Sequence, residues 1–151
     1  MIRIQKNNSP WVIGRQWEAC CIDLLRNNGY EPEDMASKGL PYDIVANGLR
    51  IQCKSLVNKS CRKQQTDYIR IGKGGTGSCK GYKVGSLDIF MVAVKTTGDW
   101  YCIPAEAVGS SISEGKRFLA YQIQPKRFAR YKNNLDALAN GGHAIQQPSL
   151  F

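Results

Sequence analysis

Hydrophobic and polar residues alternate across residues 42–54, YDIVANGLRIQCK, on either side of a central Asn47-Gly48 pair. Asn-Gly is the strongest short-range signal for a two-residue type I′ turn, because both turn positions need positive φ. The turn and the alternation fix the same strand register, which a slip of one residue would destroy. The sequence therefore predicts a β-hairpin with the pairs Ala46–Leu49, Val45–Arg50, Ile44–Ile51 and Asp43–Gln52.

The two faces of this predicted hairpin differ in polarity. The apolar face carries Ile44, Ala46, Leu49, Ile51 and Cys53. The opposite face brings together a carboxylate, a carboxamide and an ammonium, from Asp43, Gln52 and Lys54. A polar hairpin face is commonly a solvated surface. Three such groups converging beside a buried face also form an active-site geometry, and the residues alone leave both interpretations open.

The rest of the pattern predicts one α/β domain over residues 1–151, with helices and strands in mixed order. A helix over 11–28 begins after Ser9-Pro10 and ends at Gly29. Residues 86–94 form a nearly continuous apolar run, typical of a central strand buried on both faces. The further elements expected are strands at 66–72, 100–104 and 119–124, a short helix after Pro104, a last helix from Pro125 to Gly141, and a loose tail over 143–151.

Charge and composition narrow the partners. Twenty-one Lys and Arg against twelve Asp and Glu give a net charge of +9, which favours an anionic partner and above all nucleic acid. A membrane surface is disfavoured, since no basic amphipathic helix is long enough to lie on one. We also expect no transmembrane segment and no signal peptide.

The six cysteines contain no CxxC pair, which favours free thiols and a reduced, cytoplasmic protein. A zinc site built from Cys61, Cys79 and the single His143 is disfavoured by the same lack of paired spacing.

A glycine-rich, lysine-bearing segment spans residues 72–85. It matches neither the Walker A pattern nor GxGxxG, so a nucleotide-phosphate cradle is not indicated. Backbone amides and lysines here favour contacts with DNA phosphates, and an exposed loop without a role is the alternative. The basic residues expected to contact DNA lie in this segment and the one before it: Lys59, Arg62, Lys63, Lys73, Lys80 and Lys83. Residues 116–132 offer an alternative basic approach.

A helix carrying Glu18, a strand carrying Asp43 and a strand carrying Gln52-Cys53-Lys54 together resemble the PD-(D/E)XK nucleases in their QxK form. Over residues 11–139 the chain is most similar to the homing endonucleases of this fold encoded in cyanobacterial group I introns. The resemblance implies a restriction-endonuclease-like core with a central mixed sheet flanked by helices. It also implies a sequence-specific endonuclease that cuts double-stranded DNA as a homo-oligomer, either a dimer or a dimer of dimers.

The resemblance also implies roles for single residues. Asp43 would be the central ligand of Mg²⁺, with Mn²⁺ as a substitute, and Glu18 a second ligand, directly or through water. The backbone carbonyl of Cys53 would face the same ion, and Lys54 would orient the attacking water and offset charge on the phosphate. Gln52 would fill a position usually held by Asp or Glu. Without the resemblance, the residues favour Glu18 as a helix-surface carboxylate paired with Arg15 or Arg26.

General chemistry supports these residue types for phosphodiester hydrolysis. A hard cation held by oxygen ligands lowers the pKa of water and neutralises charge, and an ammonium adds preorganised positive charge. Two departures from the pattern matter: Tyr42 separates Pro41 from Asp43, and the neutral Gln52 favours one metal ion or a weak second site. A structure-specific nuclease, such as a Holliday-junction resolvase, and a non-catalytic DNA-binding module remain alternatives.

Overall fold

The computed structural model describes residues 10–56, 69–70, 81–94, 97–113, 115–119, 122–123 and 125–145. The helices in these ranges are α1 (Pro10–Asn27) and α2 (Asp136–Ala139), and 3-10 helices lie at Ala36–Lys38, Ala105–Ala107 and Pro125–Tyr131. The strands are β1 (Pro32–Asp34), β2 (Ile44–Ala46), β3 (Leu49–Leu56), β4 (Ile69–Arg70), β5 (Ile89–Val94), β6 (Trp100–Pro104), β7 (Ser110–Ser113), β8 (Lys116–Leu119) and β9 (Gln122–Ile123).

Within the described ranges, five of these strands form one mixed sheet in the order β1-β2-β3-β5-β6. The pair β3–β5 is parallel, whereas the other neighbours in the sheet are antiparallel. Two smaller two-stranded sheets pair β4 with β9 and β7 with β8. The predicted α/β class and mixed central sheet are therefore confirmed.

The hairpin of β2 and β3 has the predicted turn and register. Asn47 and Gly48 both adopt positive φ, of 49° and 80°. The observed pairs are Ile44–Ile51, Val45–Arg50 and Ala46–Leu49. Arg50 then ties this hairpin to the start of β5, because its backbone N–H and its guanidinium both donate to the carboxylate of Asp88.

The helix α1 packs its apolar stripe on the sheet, as the spacing predicts. Trp17, Cys21 and Leu25 are buried against Ile44, Ile51 and their neighbours in the core. The indole N–H of Trp17 donates to the backbone carbonyl of Met91 in the central strand at 3.0 Å, which fixes the helix along the sheet. Gly29, with a φ of 84°, ends the helix at the predicted position.

The central strand β5 is buried along its whole length, as the apolar run predicts. It lies between β3 and β6, so both of its edges are hydrogen-bonded and both of its faces are covered. The predicted turn at residues 97–99 leads into β6, and the short helix expected after Pro104 is present as a 3-10 turn.

The second half departs from the prediction in its strands. The strand predicted at 119–124 is wrong as a single element, since β8 ends at Leu119 and β9 occupies only Gln122–Ile123. The β7–β8 hairpin was not predicted, and neither was β1 in the polar stretch after Tyr30. Of the strand predicted at 66–72, only Ile69–Arg70 lies in the described ranges, where it pairs with β9.

The single last helix predicted from Pro125 is also wrong, because two asparagines interrupt it. Asn133 adopts a left-handed φ of 56° and exchanges two hydrogen bonds with the backbone of Trp100 in β6. The Asn134 side chain accepts from the backbone N–H of Asp136. These contacts leave a 3-10 segment at Pro125–Tyr131 and a separate one-turn α2. Asparagine tolerates this backbone conformation and bonds locally, so tertiary contacts override the apolar stripe.

Two sequence expectations about the chain's environment concern these ranges. In the described part of the chain, no helix combines the length and apolarity required to cross a bilayer. The four cysteines placed there, Cys20, Cys21, Cys53 and Cys102, are free thiols. The two cysteines of the disfavoured zinc grouping, Cys61 and Cys79, lie outside the described residues, whereas His143 lies within them.

Candidate active site

Asp43 stands at the open end of the β2–β3 hairpin, where its backbone is held on two sides. Its N–H donates to the carbonyl of Ile51 at 2.9 Å, and its carbonyl accepts from Met35 at 2.7 Å. Its carboxylate oxygen Oδ2 accepts from the backbone N–H of Cys53 at 3.2 Å. The carboxylate is therefore fixed beside the stretch of β3 that carries Gln52 and Lys54, as the predicted register requires.

Gln52 is more deeply buried than a solvated hairpin face would allow, with a relative exposure of 8%. Its Nε2 lies 3.4 Å from the carbonyl of Cys53, its neighbour along the chain. Its Oε1 is buried and has no hydrogen-bond partner among the described residues. An unpaired buried amide oxygen is costly, so it calls for a ligand, a water or an ion.

Lys54 lies two residues further along β3, on the same face as Gln52. Its ammonium nitrogen sits 5.3 Å from the centroid of the Tyr82 ring. Its positive charge also reaches Asp43 and acts to lower the pKa of that carboxyl. The structure thus brings Asp43, Gln52 and Lys54 together at one end of the hairpin.

Glu18 pairs on the helix surface, as one of its two sequence interpretations expects. Its carboxylate pairs with Arg15 one turn earlier on α1 at 2.5 Å. Its pKa is nevertheless raised, first by burial and then by the negative charge of Asp43. The second cause shows that the helix carries Glu18 close to the carboxylate at the hairpin end.

Asp34 is a third carboxylate near this point, and the sequence interpretation missed it. It pairs with Ile44 across β1–β2, and one oxygen lies 3.7 Å from Arg15. Its negative charge acts to raise the pKa of both Glu18 and Asp43. No local pattern could have identified it, since the short exposed β1 has no alternation to read.

Negative charge therefore accumulates at the hairpin end and is only partly compensated. The pKa of Asp43 is raised above its ordinary range because burial outweighs the Cys53 N–H bond and the Lys54 charge, which act to lower it. Carboxyl groups whose charged form is disfavoured by burial and like charge are typical of functional sites. A cation placed among them would reverse the balance.

The available donors fit a hard divalent cation. Glu18 and Asp43 offer carboxylate oxygens, and the unpartnered Oε1 of Gln52 offers an amide oxygen, which are ligands that Mg²⁺ accepts. The Cys53 carbonyl keeps one lone pair beyond its contact with Gln52. Within the described ranges, no group of three His, Cys, Asp or Glu side chains is arranged as a metal site. A metal ion here would thus depend on amide or carbonyl oxygens as well as carboxylates.

Most of the predicted DNA contacts lie outside the described residues: Lys59, Arg62, Lys63, Lys73 and Lys80. Lys83 is described and its side chain is exposed. Its segment runs alongside β8, since Tyr82 and Val84 form backbone hydrogen bonds with Leu119 and Arg117. The exposed Lys116 and Arg117 of β8 therefore join Lys83 on one basic strand edge.

Two aromatic residues near the C-terminal end, Phe128 and Tyr131, are not available for a subunit interface. Phe128 and Tyr131 are buried in the core, where their rings pack against each other. The Tyr131 hydroxyl accepts from the backbone N–H of Ile145, within the region predicted as a loose tail. Trp100 in β6, by contrast, is partly exposed.

Comparison with known proteins supports the fold. No protein-family model and no curated protein matches the chain. Among solved structures it is similar to that of a bacterial homing endonuclease, I-Ssp6803I, with a TM-score of 0.64 and 18% sequence identity. The match covers 89% of this chain and 96% of that chain. At this identity the likeness shows the fold, which is the homing-endonuclease-like α/β arrangement that the sequence resemblance implied.

The raised pKa of Asp43 predicts how the metal-free protein responds to pH. The folded state holds this proton more tightly than the unfolded chain does. The contribution of Asp43 to stability should therefore fall as pH rises from the ordinary value of 3.8 through the higher folded-state pKa. Asp43→Asn resembles the protonated carboxyl and can still accept from Cys53. In EDTA it should be more stable than wild type at neutral pH, and this advantage should shrink below 3.8.

Urea unfolding across this pH range checks the prediction, with Asp23→Asn on the exposed face of α1 as the matched control. An Asp43→Asn variant that is less stable than wild type at neutral pH would contradict the account. It would mean that the carboxylate stabilises the fold without a cation.

Proposed function

We propose that this protein is a Mg²⁺-dependent endonuclease of the PD-(D/E)XK type that cuts double-stranded DNA at a specific sequence. The observation that carries the proposal is the hairpin end. A carboxyl with a raised pKa, a buried amide oxygen without a described partner and an ammonium converge there. The fold likeness to a bacterial homing endonuclease supports the same activity. The excess of basic residues supports a nucleic-acid substrate.

In this proposal, Asp43 and Glu18 hold the metal ion. Asp43 is the better fixed of the two, through its bond from Cys53, whereas Glu18 must share its carboxylate with Arg15. Gln52 adds its amide oxygen without adding charge. A neutral ligand holds a cation less firmly than a carboxylate does, which favours a single tightly held Mg²⁺. Mn²⁺, with similar oxygen chemistry, would substitute.

Lys54 acts on the phosphate. Negative charge grows on the phosphoryl oxygens as the phosphodiester is attacked, and a fixed ammonium stabilises it without reorganising. Bound Mg²⁺ would supply further positive charge and a water of lowered pKa. Lys54 would also hold the attacking water in line with the scissile bond. The neighbouring carboxylates, placed by the hairpin and α1, would keep the ammonium charged.

Cutting both strands requires more than one active centre. One chain of this size carries a single hairpin site within its described ranges, and one site cuts one strand. We therefore propose a symmetric homo-oligomer, at least a dimer, acting on a partly palindromic sequence. The buried Phe128 and Tyr131 are not part of its interface.

The decisive experiment digests a randomised double-stranded DNA library with the purified protein in Mg²⁺, in Mn²⁺ and in EDTA. Sequenced ends should share a common site in Mg²⁺ and should be absent in EDTA. Lys54→Ala should cut about 10²- to 10³-fold more slowly while binding the same site, because it removes transition-state stabilisation alone. Lys38→Ala, at an exposed turn, is the matched control.

Cleavage of four-way junctions without regard to sequence would favour a resolvase. Specific binding with no cutting in any metal would favour a binding module. Full activity of Lys54→Ala would contradict the assignment of this lysine.

The basic edge formed by Lys83, Lys116 and Arg117 yields a separate prediction about binding. Each phosphate contact should contribute about 0.9 to the log–log salt slope of DNA affinity. Replacing all three residues with glutamine should reduce the slope by about 0.9 for each phosphate contact that is lost. Mg²⁺ binding should be unchanged. Fluorescence anisotropy at several salt concentrations measures this. Replacing Arg26 and Lys38, which are also exposed but lie outside residues 116–132, with glutamine controls for the loss of positive charge. An unchanged slope would place the duplex elsewhere.

A further inference from the structure

Tyr82 lies in the segment that the sequence marks as a basic loop, yet its side chain is only 3% exposed. Its ring meets Phe90 of the central strand edge-on, with the centroids 5.6 Å apart. Its carbonyl accepts from the N–H of Leu119 in β8 at 2.8 Å. Tyr82 is therefore fixed both by core packing and by a strand-like hydrogen bond.

The same ring lies under the ammonium of Lys54, 5.3 Å from its centroid. Gln52 and Phe90 are partners across the parallel β3–β5 pair, so their side chains share the face that also carries Lys54. Tyr82 covers this face. Burial and, after it, the negative charge of Asp43 raise the pKa of the Tyr82 phenol, which shows that this side chain belongs electrostatically to the site.

We propose that Tyr82 is a positioning residue for Lys54, a role that rests on the proposed nuclease function. A lysine ammonium on its four-carbon stem samples many positions, and only some reach a scissile phosphate. A ring face within about 6 Å attracts the cation through its quadrupole. An aromatic ring carries no formal charge, so Tyr82 orders Lys54 without adding negative charge beside it.

The position of Tyr82 in the chain links this role to DNA contact. Lys83, the next residue, is exposed on the basic edge beside β8, while Tyr82 points into the core. A contact between DNA and Lys83 would therefore act on the backbone segment that holds the Tyr82 ring beside Lys54.

The kinetic test compares Tyr82→Phe, which keeps the ring, with Tyr82→Leu, which removes it. Single-turnover cutting by Tyr82→Leu should slow about 3- to 30-fold, the range expected for loss of one cation–π contact. The DNA dissociation constant should change less than about twofold, since ground-state binding is untouched. Tyr82→Phe should cut at nearly the wild-type rate. In a Lys54→Ala background, Tyr82→Leu should cause no further loss.

A spectroscopic readout tests the contact without any nuclease activity. The Hε protons of Lys54 should show an upfield ring-current shift in wild type and Tyr82→Phe, and lose it in Tyr82→Leu. Tyr131→Leu, at another tyrosine with 3% exposure, controls for general loosening of the core and should retain the shift. Tyr82→Met replaces the leucine variant if that variant does not fold.

Several outcomes would overturn the inference. One is that Tyr82→Leu cuts at the wild-type rate although Lys54→Ala slows cutting. Another is that Tyr82→Leu slows cutting as much in the Lys54→Ala background as in wild type. A third is that Tyr82→Phe slows cutting as much as Tyr82→Leu does. Absence of the ring-current shift in wild type would also overturn it. Failure of the proposed function looks different, because wild type would be inactive or Lys54→Ala fully active. The NMR shift would then still decide whether Tyr82 holds Lys54.

Discussion

Asn47 and Gly48, whose backbones adopt the left-handed conformation, set the register of the β2–β3 hairpin. The candidate site depends on that register. Ile44 lies opposite Ile51, and the preceding Asp43 donates its backbone N–H to Ile51 while its carboxylate accepts from the Cys53 N–H. A slip by one residue would turn the polar side chains of β3 into the α1-facing core and its apolar side chains outward. The buried face against α1 penalises that slip, so the packing that stabilises the fold also holds the site together.

The same packing holds several polar groups of the site in surroundings that oppose stability. Burial and like charge disfavour the charged forms of Glu18 and Asp43, and Gln52 carries an oxygen without a partner in the described part of the chain. Lys54 and Arg15 offset only part of this charge. Each of these features opposes stability, yet a hard divalent cation among the oxygens would relieve all of them. Their coincidence at one hairpin end supports a site arranged for a metal ion and an anionic substrate.

Sequence reasoning succeeded where the information is local. The Asn-Gly turn, the apolar stripe of α1 and the run that forms β5 each specify their own element, and the predicted register brought three site residues together. It failed where a distant partner decides. Asn133, one of the two asparagines that interrupt the last helix, bonds to β6, and Tyr82 is recognisable as part of the candidate site only from its contacts with Phe90 and Lys54. Asp34 is brought near the site by the pairing of β1 with β2. An exposed strand of three residues has no sequence pattern that would predict this pairing.

The central claim, that this hairpin end binds a metal ion, is tested most directly by titrating the isotopically labelled protein with paramagnetic Mn²⁺ and following its amide resonances by NMR. The account predicts that the amide signals of Glu18, Asp43 and residues 52–54 broaden first. In Asp43→Asn these signals should no longer broaden before the others, while the spectrum remains that of a folded protein. Broadening centred on exposed carboxylates such as Asp23 or Asp136, or no selective broadening at all, would contradict it.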